Sequence, residues 1–322
     1  ELTAVADTCL EQALALARAE AVQRYGEPGG GGQLAVIGLG KLGGGELGYQ
    51  SDLDLLFLYA DPHGRSSGGA KGSVSNPEWF TRLAQRLISQ LQIPLREGTL
   101  YRIDTRLRPS GSQGALVVSL PALASYHAGA SALWERQALL RARFVAGDPD
   151  TARDAWETIL APALFAEAPD ERELAAAIGA MRGRLEEAQR ERGSPKNDPG
   201  GLLDVEFAVQ FLQLVHGDAR PEVRTPSTLA AIERLAAAGI LGEVDAEILA
   251  RGYHFLRRLE LRMQIVHDRP MERIPTTSTA RDALARRAGF GGADPGARLA
   301  GELERITTSV RQAFRRILGL DP

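Results

Sequence analysis

The sequence predicts an α+β protein of two domains, a mixed-sheet domain over residues 1–148 followed by an all-α helical-bundle domain over residues 149–322. Two observations support this class. Strand-like apolar runs lie in the first part of the chain, and from Ala122 onward Ala, Leu, Arg and Glu dominate at helical spacing. With 322 residues, 44% of them hydrophobic, the chain is long enough to bury two separate cores.

The individual elements follow from local patterns. An amphipathic helix over residues 2–24 opens the chain, and a glycine-rich stretch at 26–32 ends it. Strands are predicted near residues 34–38, 52–59, 99–107 and 115–119, with a helix over 77–92 between the second and the third. Further helices are predicted near residues 122–129, 131–145, 150–166, 170–192, 201–216, 226–238, 243–267, 278–288 and 295–318, with the segment SPKNDPGG at 194–201 as a breaker.

Composition narrows the function classes. The formal net charge of −3 provides no basic field to attract nucleic acid, so a protein or small-molecule acceptor is favoured over a polymerase-like role. The single cysteine, Cys9, excludes an internal disulfide and suits a reducing cytoplasm, and the five histidines show no spacing typical of a zinc site. No apolar run approaches the ~20 residues that span a bilayer, so no membrane association is expected. A chain that begins at Glu1 suggests a fragment of a longer polypeptide.

The most informative segment is LAVIGLGKLGGGELGYQSDLDLLFLY at residues 34–59. Its glycine-rich turn lets the backbone approach an anion closely, with Lys41 available as a point charge. Asp52 and Asp54 enter the next strand two residues apart, so their side chains project from the same face. Paired carboxylates and phosphates are the ligands that Mg²⁺ prefers. The segment therefore predicts a nucleotidyl-transfer site, whereas the alternative is a plain turn followed by two solvated acids.

Two other nucleotide-binding motifs fit less well. The letters GLGKLG at residues 38–43 match the dinucleotide-binding pattern, but a βαβ unit needs a crossover helix of about 10 residues or more, with its acid about 20 residues beyond the glycines. Here only residues 44–51 separate the glycines from the acids. A P-loop is excluded because Leu42 stands where Ser or Thr is needed and no glycine lies five residues before Gly40.

A third acid occurs in TLYRIDTRLRPSG at residues 99–111. Strand alternation places Arg102, Asp104, Arg106 and Arg108 on one face. In the functional interpretation, Asp104 completes the metal site and acts as general base toward an acceptor hydroxyl, while arginines steady phosphate charge. A solvated, salt-bridged strand face explains the same residues equally well.

Several long motifs in a fixed order resemble one family. The sequence is similar to the glutamine synthetase adenylyltransferases in three motifs, GLGKLGGGELGYQSDLDLLFLY, YRIDTRLRPSG and LWERQALLRAR at 133–143. A weaker similarity extends to GGLLDVEF from Gly200 and FLRRLELRMQIVHDR from Phe255. The residues of these motifs are more similar to those of the C-terminal, adenylylating unit of that family than to those of the deadenylylating unit. Gln50 stands where serine is usual, outside the acids.

The resemblance implies a fold and a site. The fold is a DNA polymerase β-like nucleotidyltransferase domain followed by a helical domain. Asp52, Asp54 and Asp104 are the implied catalytic and Mg²⁺-binding carboxylates. The implied nucleotide-binding residues are Gly38, Gly40, Lys41, Gly43, Gly44, Ser51, Arg106 and Arg108.

The resemblance also implies the reaction, transfer of AMP from ATP to a tyrosine hydroxyl of glutamine synthetase with release of pyrophosphate, which regulates nitrogen assimilation. Its partners would be glutamine synthetase and, as a candidate, the PII signal protein. Three alternatives stay open: phosphorolytic removal of AMP from the modified synthetase, another nucleotidyltransferase acting on PII or a small molecule, and a non-catalytic module that binds the synthetase or PII. Three convergent acids argue against the last, which would have no chemical need for them.

Charged residues on the predicted helices have two interpretations. Arg136, Arg141 and Arg143 either extend toward the triphosphate or the acceptor, or lie along the surface of the core. Asp204 and Glu206 either align with the dipole of a helix start or pair with an arginine of the long helix that follows, with Arg257, Arg258 and Arg262 as the candidates.

Overall fold

The computed structural model describes residues 1–96, 98–129, 132–165, 170–189, 192–265 and 273–320. The chain divides into two compact units, Glu1–Ala166 and Glu167–Pro322. The first unit is mixed α/β with a small sheet, and the described residues of the second contain helices and connecting turns. In the part of the chain that is described, no helix is both long enough and apolar enough to span a membrane.

The first unit opens with helix α1 and is built around a mixed five-stranded sheet. The central strands β1 and β2 are antiparallel, β7 is antiparallel to β1, and both β5 and β6 run parallel to β2. A separate hairpin is formed by β3 and β4. The elements are α1 (Leu2–Tyr25), β1 (Leu34–Gly38), α2 (Gly40–Gly43), β2 (Leu53–Tyr59), α3 (Asn76–Leu91), β3 (Pro94–Leu95), β4 (Gly98–Thr99), β5 (Ile103–Asp104), β6 (Val117–Ser119), α4 (Leu120–His127), α5 (Leu133–Leu139), β7 (Arg143–Gly147), α6 (Pro149–Asp154) and α7 (Ala161–Phe165).

One face of the sheet packs against α1 and α3. Alternation along β2 sends Leu53, Leu55 and Phe57 into this core, where they join buried residues of both helices. Helix α3 presents Phe80, Leu83 and Leu87 at helical spacing to the same core. Because each of these side chains is almost fully buried, each stabilises the unit by about 1.5–3 kcal/mol relative to exposure. The side chain of Asp54 projects from the opposite face of β2.

The structure corrects two predicted elements in this unit. The helix predicted over residues 131–145 is wrong beyond residue 139, because Arg143–Gly147 forms β7 and pairs with β1, with Gly38 opposite Arg143 and Val36 opposite Ala146. The strand predicted over residues 99–107 is reduced to Ile103–Asp104. Both errors have one cause: strand pairing depends on distant partners that local periodicity does not reveal.

The division between units lies after Ala166, whereas the sequence predicted a domain boundary after residue 148. The amide of Asp148 donates to the carbonyl of Leu34 over 2.9 Å, which ties the start of α6 to β1. Thr151 and Ala152 of α6 are buried. The helical segment that follows β7, with a π-helical turn at Ala155–Leu160, is therefore part of the first unit.

The second unit contains the predicted helices. They are α8 (Glu171–Ala188), α9 (Leu202–His216), α10 (Thr228–Ala237), α11 (Glu243–Gln264), α12 (Ser278–Arg287) and α13 (Pro295–Ile317). The predicted breaker at 194–201 is confirmed, since it lies between α8 and α9. The predicted ends of two helices, at 190–192 and 265–267, fall partly on residues 190–191 and 266–267, which are outside the described residues.

Candidate functional site

Two carboxylates face each other across neighbouring parallel strands. In the pairing of β2 with β5, Asp54 lies directly opposite Asp104, and Leu53 lies opposite Ile103. Strands in a sheet are about 4.8 Å apart, so the two side chains leave the same face at adjacent positions. Asp52 lies in the chain immediately before β2, two residues from Asp54. The structure thus brings the three predicted acids to one end of β2.

Asp52 is paired with Arg102, which the sequence analysis placed on the face of Asp104 but did not include among the nucleotide-binding residues. The Nε of Arg102 donates to Asp52 Oδ1 over 2.7 Å, and the side chains of Asp52 and Arg102 are 46% and 59% exposed. The carbonyl of Arg102 in turn accepts the Leu53 amide at 2.9 Å, which fixes this arginine beside the entrance to β2. An exposed ion pair of this kind contributes about 0–1 kcal/mol to stability, so the guanidinium can leave Asp52 at little cost.

Asp104 is held more firmly, by Arg106. The Arg106 amide donates to Oδ1 over 2.8 Å, and its Nε and Nη2 donate to Oδ2 over 2.9 Å and 2.5 Å. These hydrogen bonds hold the pKa of the Asp104 carboxyl below its ordinary value of 3.8, although partial burial opposes the shift. Asp104 is therefore ionised at neutral pH. The Arg106 side chain is 78% exposed, so it covers the carboxylate from the solvent side.

The glycine-rich turn lies against Asp54. The Leu39 amide donates to the Asp54 carbonyl over 2.9 Å, and Gly40 follows with a positive φ of 52°. A Cβ at Gly40 would approach the Asp54 carboxylate closer than 3.0 Å, a separation that real Cβ atoms essentially never show. Glycine is thus favoured here for two reasons, the left-handed backbone and the close approach of the turn to the carboxylate, which a Cβ would push aside.

Two other predicted glycines, Gly38 and Gly43, allow neighbouring residues to pack closely against the turn. A Cβ at Gly43 would clash with the Arg141 carbonyl, and one at Gly38 would clash with Val145 and Leu42. The amides of residues 43–46 donate to carbonyls of residues 39–42, so this half of the turn is closed on itself. An anion could therefore be approached only by the first part of the turn, at residues 40–42, which includes the predicted Lys41.

The remaining predicted nucleotide contacts are placed differently. Ser51 Oγ accepts the Gly48 amide at 3.0 Å, so this side chain supports the segment before Asp52. Arg108 is turned into its own loop, where its guanidinium donates to the carbonyls of Thr105 and Gly114 over 2.6 Å and 3.2 Å. The predicted placement of Arg108 on the face of Asp104 along one strand is therefore wrong, because β5 ends at Asp104.

Two arginines of the LWERQALLRAR motif, Arg141 and Arg143, bind the backbone of the glycine turn, whereas Arg136 contacts a different part of the unit. Arg141 Nη1 donates to Glu46 Oε2 over 2.7 Å and to the Gly40 carbonyl over 3.4 Å, in a largely buried ion pair. Arg143 donates to Asp7 and to the carbonyls of Leu42 and Gly43. Arg136 donates to the Leu164 carbonyl over 2.8 Å. The sequence analysis did not identify Glu46 as part of this ion pair, because a single acidic residue in a glycine-rich turn has no periodic pattern that would reveal its partner.

In the second unit, Asp204 pairs with arginines of α8 and α13 and not with those of α11. It is fully buried in the first turn of α9, where it accepts from Arg182 Nε at 2.6 Å, from Arg311 Nη1 at 3.0 Å and from the Gly200 amide at 2.7 Å. Arg257 pairs instead with Glu260. Of the two interpretations of Asp204, pairing with Arg257, Arg258 or Arg262 is wrong, whereas its place at a helix start is confirmed.

The donor set for a metal is chemically suitable but is engaged with arginines. Among the described residues, no group of three or more His, Cys, Asp and Glu side chains is arranged to hold a metal ion. Asp52 and Asp104 are turned toward Arg102 and Arg106 instead. Three adjacent carboxylates supply only hard oxygen ligands, which fit Mg²⁺, and both guanidinium groups are exposed enough to move away.

Comparisons with known proteins agree with the motifs. Residues 1–157 match the family model described as glutamate–ammonia ligase adenylyltransferase, and residues 172–318 match the model described as GlnD PII-uridylyltransferase. Over 320 residues, 95% of the chain, the sequence is 39% identical to the bifunctional glutamine synthetase adenylyltransferase/adenylyl-removing enzyme of Stenotrophomonas maltophilia (strain K279a). The chain spans 33% of the length of that relative. The resemblance drawn from the motifs is thereby confirmed.

Proposed function

The chain resembles the glutamine synthetase adenylyltransferases over 95% of its length, and from this premise we propose that it transfers AMP from ATP to a tyrosine hydroxyl of glutamine synthetase. The observation that carries the proposal is the placement of Asp54 opposite Asp104, with the Gly40 turn against the Asp54 carboxylate. Nucleotidyl transfer uses carboxylates that hold metal ions beside the bound phosphates, and the carboxylates next to a glycine turn at this end of β2 support the proposal. The first unit would then be a DNA polymerase β-like nucleotidyltransferase domain, a proposal supported by its mixed sheet.

Three carboxylates, Asp52, Asp54 and Asp104, would hold Mg²⁺. When bound, the metal supplies positive charge that offsets the charge of the triphosphate and of the leaving pyrophosphate. The exposed guanidinium groups of Arg102 and Arg106, once released from the acids, can meet phosphate oxygens instead. The backbone of residues 40–42 approaches the same phosphates from the other side.

Asp104 is the group that would accept the tyrosine proton. A phenol has an ordinary pKa of about 10, whereas the pKa of Asp104 is held below 3.8 by Arg106, so the carboxylate is a weak base while that contact persists. Release of Arg106 frees Asp104 Oδ2 from two hydrogen bonds, so that this oxygen can accept one from the acceptor hydroxyl. The phenolic oxygen then bonds to the α-phosphorus, the bond from this phosphorus to the bridging oxygen breaks, and pyrophosphate leaves with the electron pair. The proton passes to Asp104.

The reverse chemistry is the second candidate. The relative is described as bifunctional and also as an adenylyl-removing enzyme. With inorganic phosphate in place of the tyrosine oxygen, the same three carboxylates could release AMP from the modified tyrosine as ADP. The segments GELGYQSDLDL and RPSG favour the adenylylating direction, because they resemble that unit of the family. PII is a candidate partner, which the match of residues 172–318 to a PII-uridylyltransferase model supports.

The direct test is incubation of the chain with unmodified glutamine synthetase, Mg²⁺ and α-labelled ATP, following label on the synthetase and pyrophosphate in solution. We expect labelling by the wild-type chain and its loss in Asp54→Asn, with unchanged circular dichroism. Asp150→Asn is a matched control, because it removes a 77% exposed carboxylate of the same unit. Near-normal labelling by Asp54→Asn would refute the site. Release of ADP from modified synthetase on adding phosphate, without any forward labelling, would establish the reverse reaction instead.

A further inference from the structure

Arg143, the first residue of β7, binds two consecutive carbonyls of the glycine turn at residues 38–45. Its Nη2 donates to the Leu42 carbonyl over 2.9 Å, and its Nε donates to the Gly43 carbonyl over 3.2 Å. Both of these residues are buried, and a buried carbonyl needs a donor from the protein because bulk water does not reach it. The guanidinium group is therefore part of the hydrogen bonding that shapes the turn.

Asp7 of α1 fixes the direction of this guanidinium group. Arg143 Nη1 donates to Asp7 Oδ2 and Nη2 donates to Oδ1, each over 3.0 Å. A bidentate pair of this kind holds the plane of the guanidinium group as well as its position. Thr3, one helical turn before Asp7, accepts the Leu47 amide at 3.2 Å through its Oγ1. One face of α1 thus contacts both the arginine that binds the turn and the segment that follows the turn.

The restraint passes through the turn by way of planar peptide units. Because a peptide unit is planar, holding its carbonyl also fixes the amide of the same unit. The Leu42 carbonyl shares its unit with the Gly43 amide, which donates to the Leu39 carbonyl over 2.8 Å. The Gly43 carbonyl shares its unit with the Gly44 amide, which donates to the Gly40 carbonyl over 3.1 Å. Each of the two bonds from the guanidinium group therefore holds one residue at the start of the turn.

The start of the turn is the part that contacts the candidate site. The Leu39 amide donates to the Asp54 carbonyl over 2.9 Å, and Gly40 lies against the Asp54 carboxylate. Glycine has more backbone freedom than any other residue, so the glycines of this segment do not hold its conformation by themselves. Restraint has to come from outside the segment, and the pair of Asp7 with Arg143 supplies part of it at two points.

We propose that Asp7 and Arg143 are positioning residues, which hold the glycine turn in the geometry that receives the phosphates of ATP. The inference rests on the proposed function, in which the backbone of residues 40–42 approaches these phosphates. Arg143 acts through the carbonyls of the turn, and Asp7 acts through Arg143. Loss of the pair lets the turn adopt other conformations. The affinity for ATP then falls by the fraction of molecules that keep the competent one.

Steady-state kinetics of Asp7→Ala test the inference. With glutamine synthetase as acceptor, the KM for ATP should rise about 10-fold, the equivalent of about 1.4 kcal/mol, while the KM for the synthetase stays within about twofold. A loss of folded protein, by contrast, lowers the apparent kcat and leaves both KM values unchanged. Glu20→Ala is the matched control, because Glu20 lies on the same helix, is 25% exposed against 26% for Asp7, and pairs with Arg86. A normal KM for ATP in Asp7→Ala, or an equal rise in Glu20→Ala, overturns the inference.

Variants of Arg143 show whether Asp7 acts through this residue. In Arg143→Gln the KM for ATP should rise about 10-fold or more, and adding Asp7→Ala to this variant should change it by less than about twofold. Arg143→Lys keeps the positive charge but lacks the planar fork that meets a carboxylate and two carbonyls together, so it should recover little of the loss. If the effects of Asp7→Ala and Arg143→Gln multiply, Asp7 acts independently of Arg143. If Arg143→Lys restores the KM for ATP, the charge matters and the position of the turn does not. Either result overturns the inference.

Binding without catalysis separates this inference from the proposed reaction. Isothermal titration calorimetry with ATP and Mg²⁺ should give a dissociation constant about 10-fold higher for Asp7→Ala than for Glu20→Ala, which should match the wild-type chain. If ATP binds with this difference but no AMP reaches the synthetase, the proposed reaction is wrong and the positioning role stands. If AMP is transferred and the two variants bind ATP equally, the positioning role alone is wrong. A wild-type chain that binds no ATP would overturn both.

Discussion

Replacing Gly40 with alanine adds one methyl group between the glycine turn and Asp54. Gly40 has a φ of 52°, and the added Cβ would lie closer than 3.0 Å to the carboxylate. Gly45, five residues along the same turn, has a φ of 72°, and a Cβ there would meet nothing within 4 Å. The two substitutions therefore share the backbone cost, and only Gly40→Ala also displaces Asp54.

The expected magnitudes separate the two effects. An L-residue in the left-handed region costs about 1–2 kcal/mol, so both variants should lower the melting temperature of the first unit by a few degrees. In Gly40→Ala the carboxylate must also retreat by about 1 Å to reach ordinary contact distance, and a misplacement of that size can cost about 100-fold in rate. Gly45→Ala should keep near-normal activity, since it leaves Asp54 in place.

The assay is AMP transfer to glutamine synthetase from α-labelled ATP, measured for both variants at matched folded fractions. Differential scanning calorimetry supplies the folded fraction and the melting temperatures. Comparable stability with a loss of activity confined to Gly40→Ala would support the placement of the turn against Asp54. Equal activities of the two variants would refute it, because the carboxylate would then have moved aside without consequence for the chemistry.

Two further predictions follow from the ion pairs. Arg102→Gln removes the cation that competes for Asp52, so Mn²⁺ measured by electron paramagnetic resonance should bind about two- to fivefold more tightly, as expected for an exposed pair; unchanged or weaker binding would contradict this. Asp204→Ala removes the fully buried partner of Arg182, which is 1% exposed and keeps only Glu186, at 3.3 Å, as a counter-charge; it should lower the unfolding free energy of the second unit by about 3–5 kcal/mol in urea denaturation. Asp245→Ala, which breaks a more exposed pair, is its control, and a loss below about 1 kcal/mol for both would count against the buried cluster.

Much of the candidate site could be predicted because its patterns are local. Strand alternation places Asp52 and Asp54 on one face from their spacing alone, and a glycine-rich turn beside paired acids is visible in the printed letters. The position of Asp104 opposite Asp54 was harder to predict, because a parallel pairing of only two residues joins segments 50 residues apart in the chain. The predicted strand around Asp104 was accordingly too long.

Strand β7 was not predicted for the same reason, that strand pairing depends on residues distant in the chain. RFVAG at Arg143–Gly147 follows a helical motif without a break in composition, and its five residues are too few to establish a period. It becomes a strand because β1 offers a free edge opposite β2. No property of the segment by itself predicts that edge.

The sequence alone determined the elements whose pattern is written into neighbouring residues: the helices of the second unit, the two central strands, and the glycine turn with its acids. Backbone geometry imposes periods of 3.6 and 2.0 residues, and these can be read without a structure. Tertiary structure alone decided where the guanidinium groups of Arg141 and Arg143 go. Arg141 joins Glu46, and Arg143 joins Asp7, across separations of 95 and 136 residues. Such pairings depend on which surfaces the folded core brings together, because a charge selects its partner through space and not along the chain.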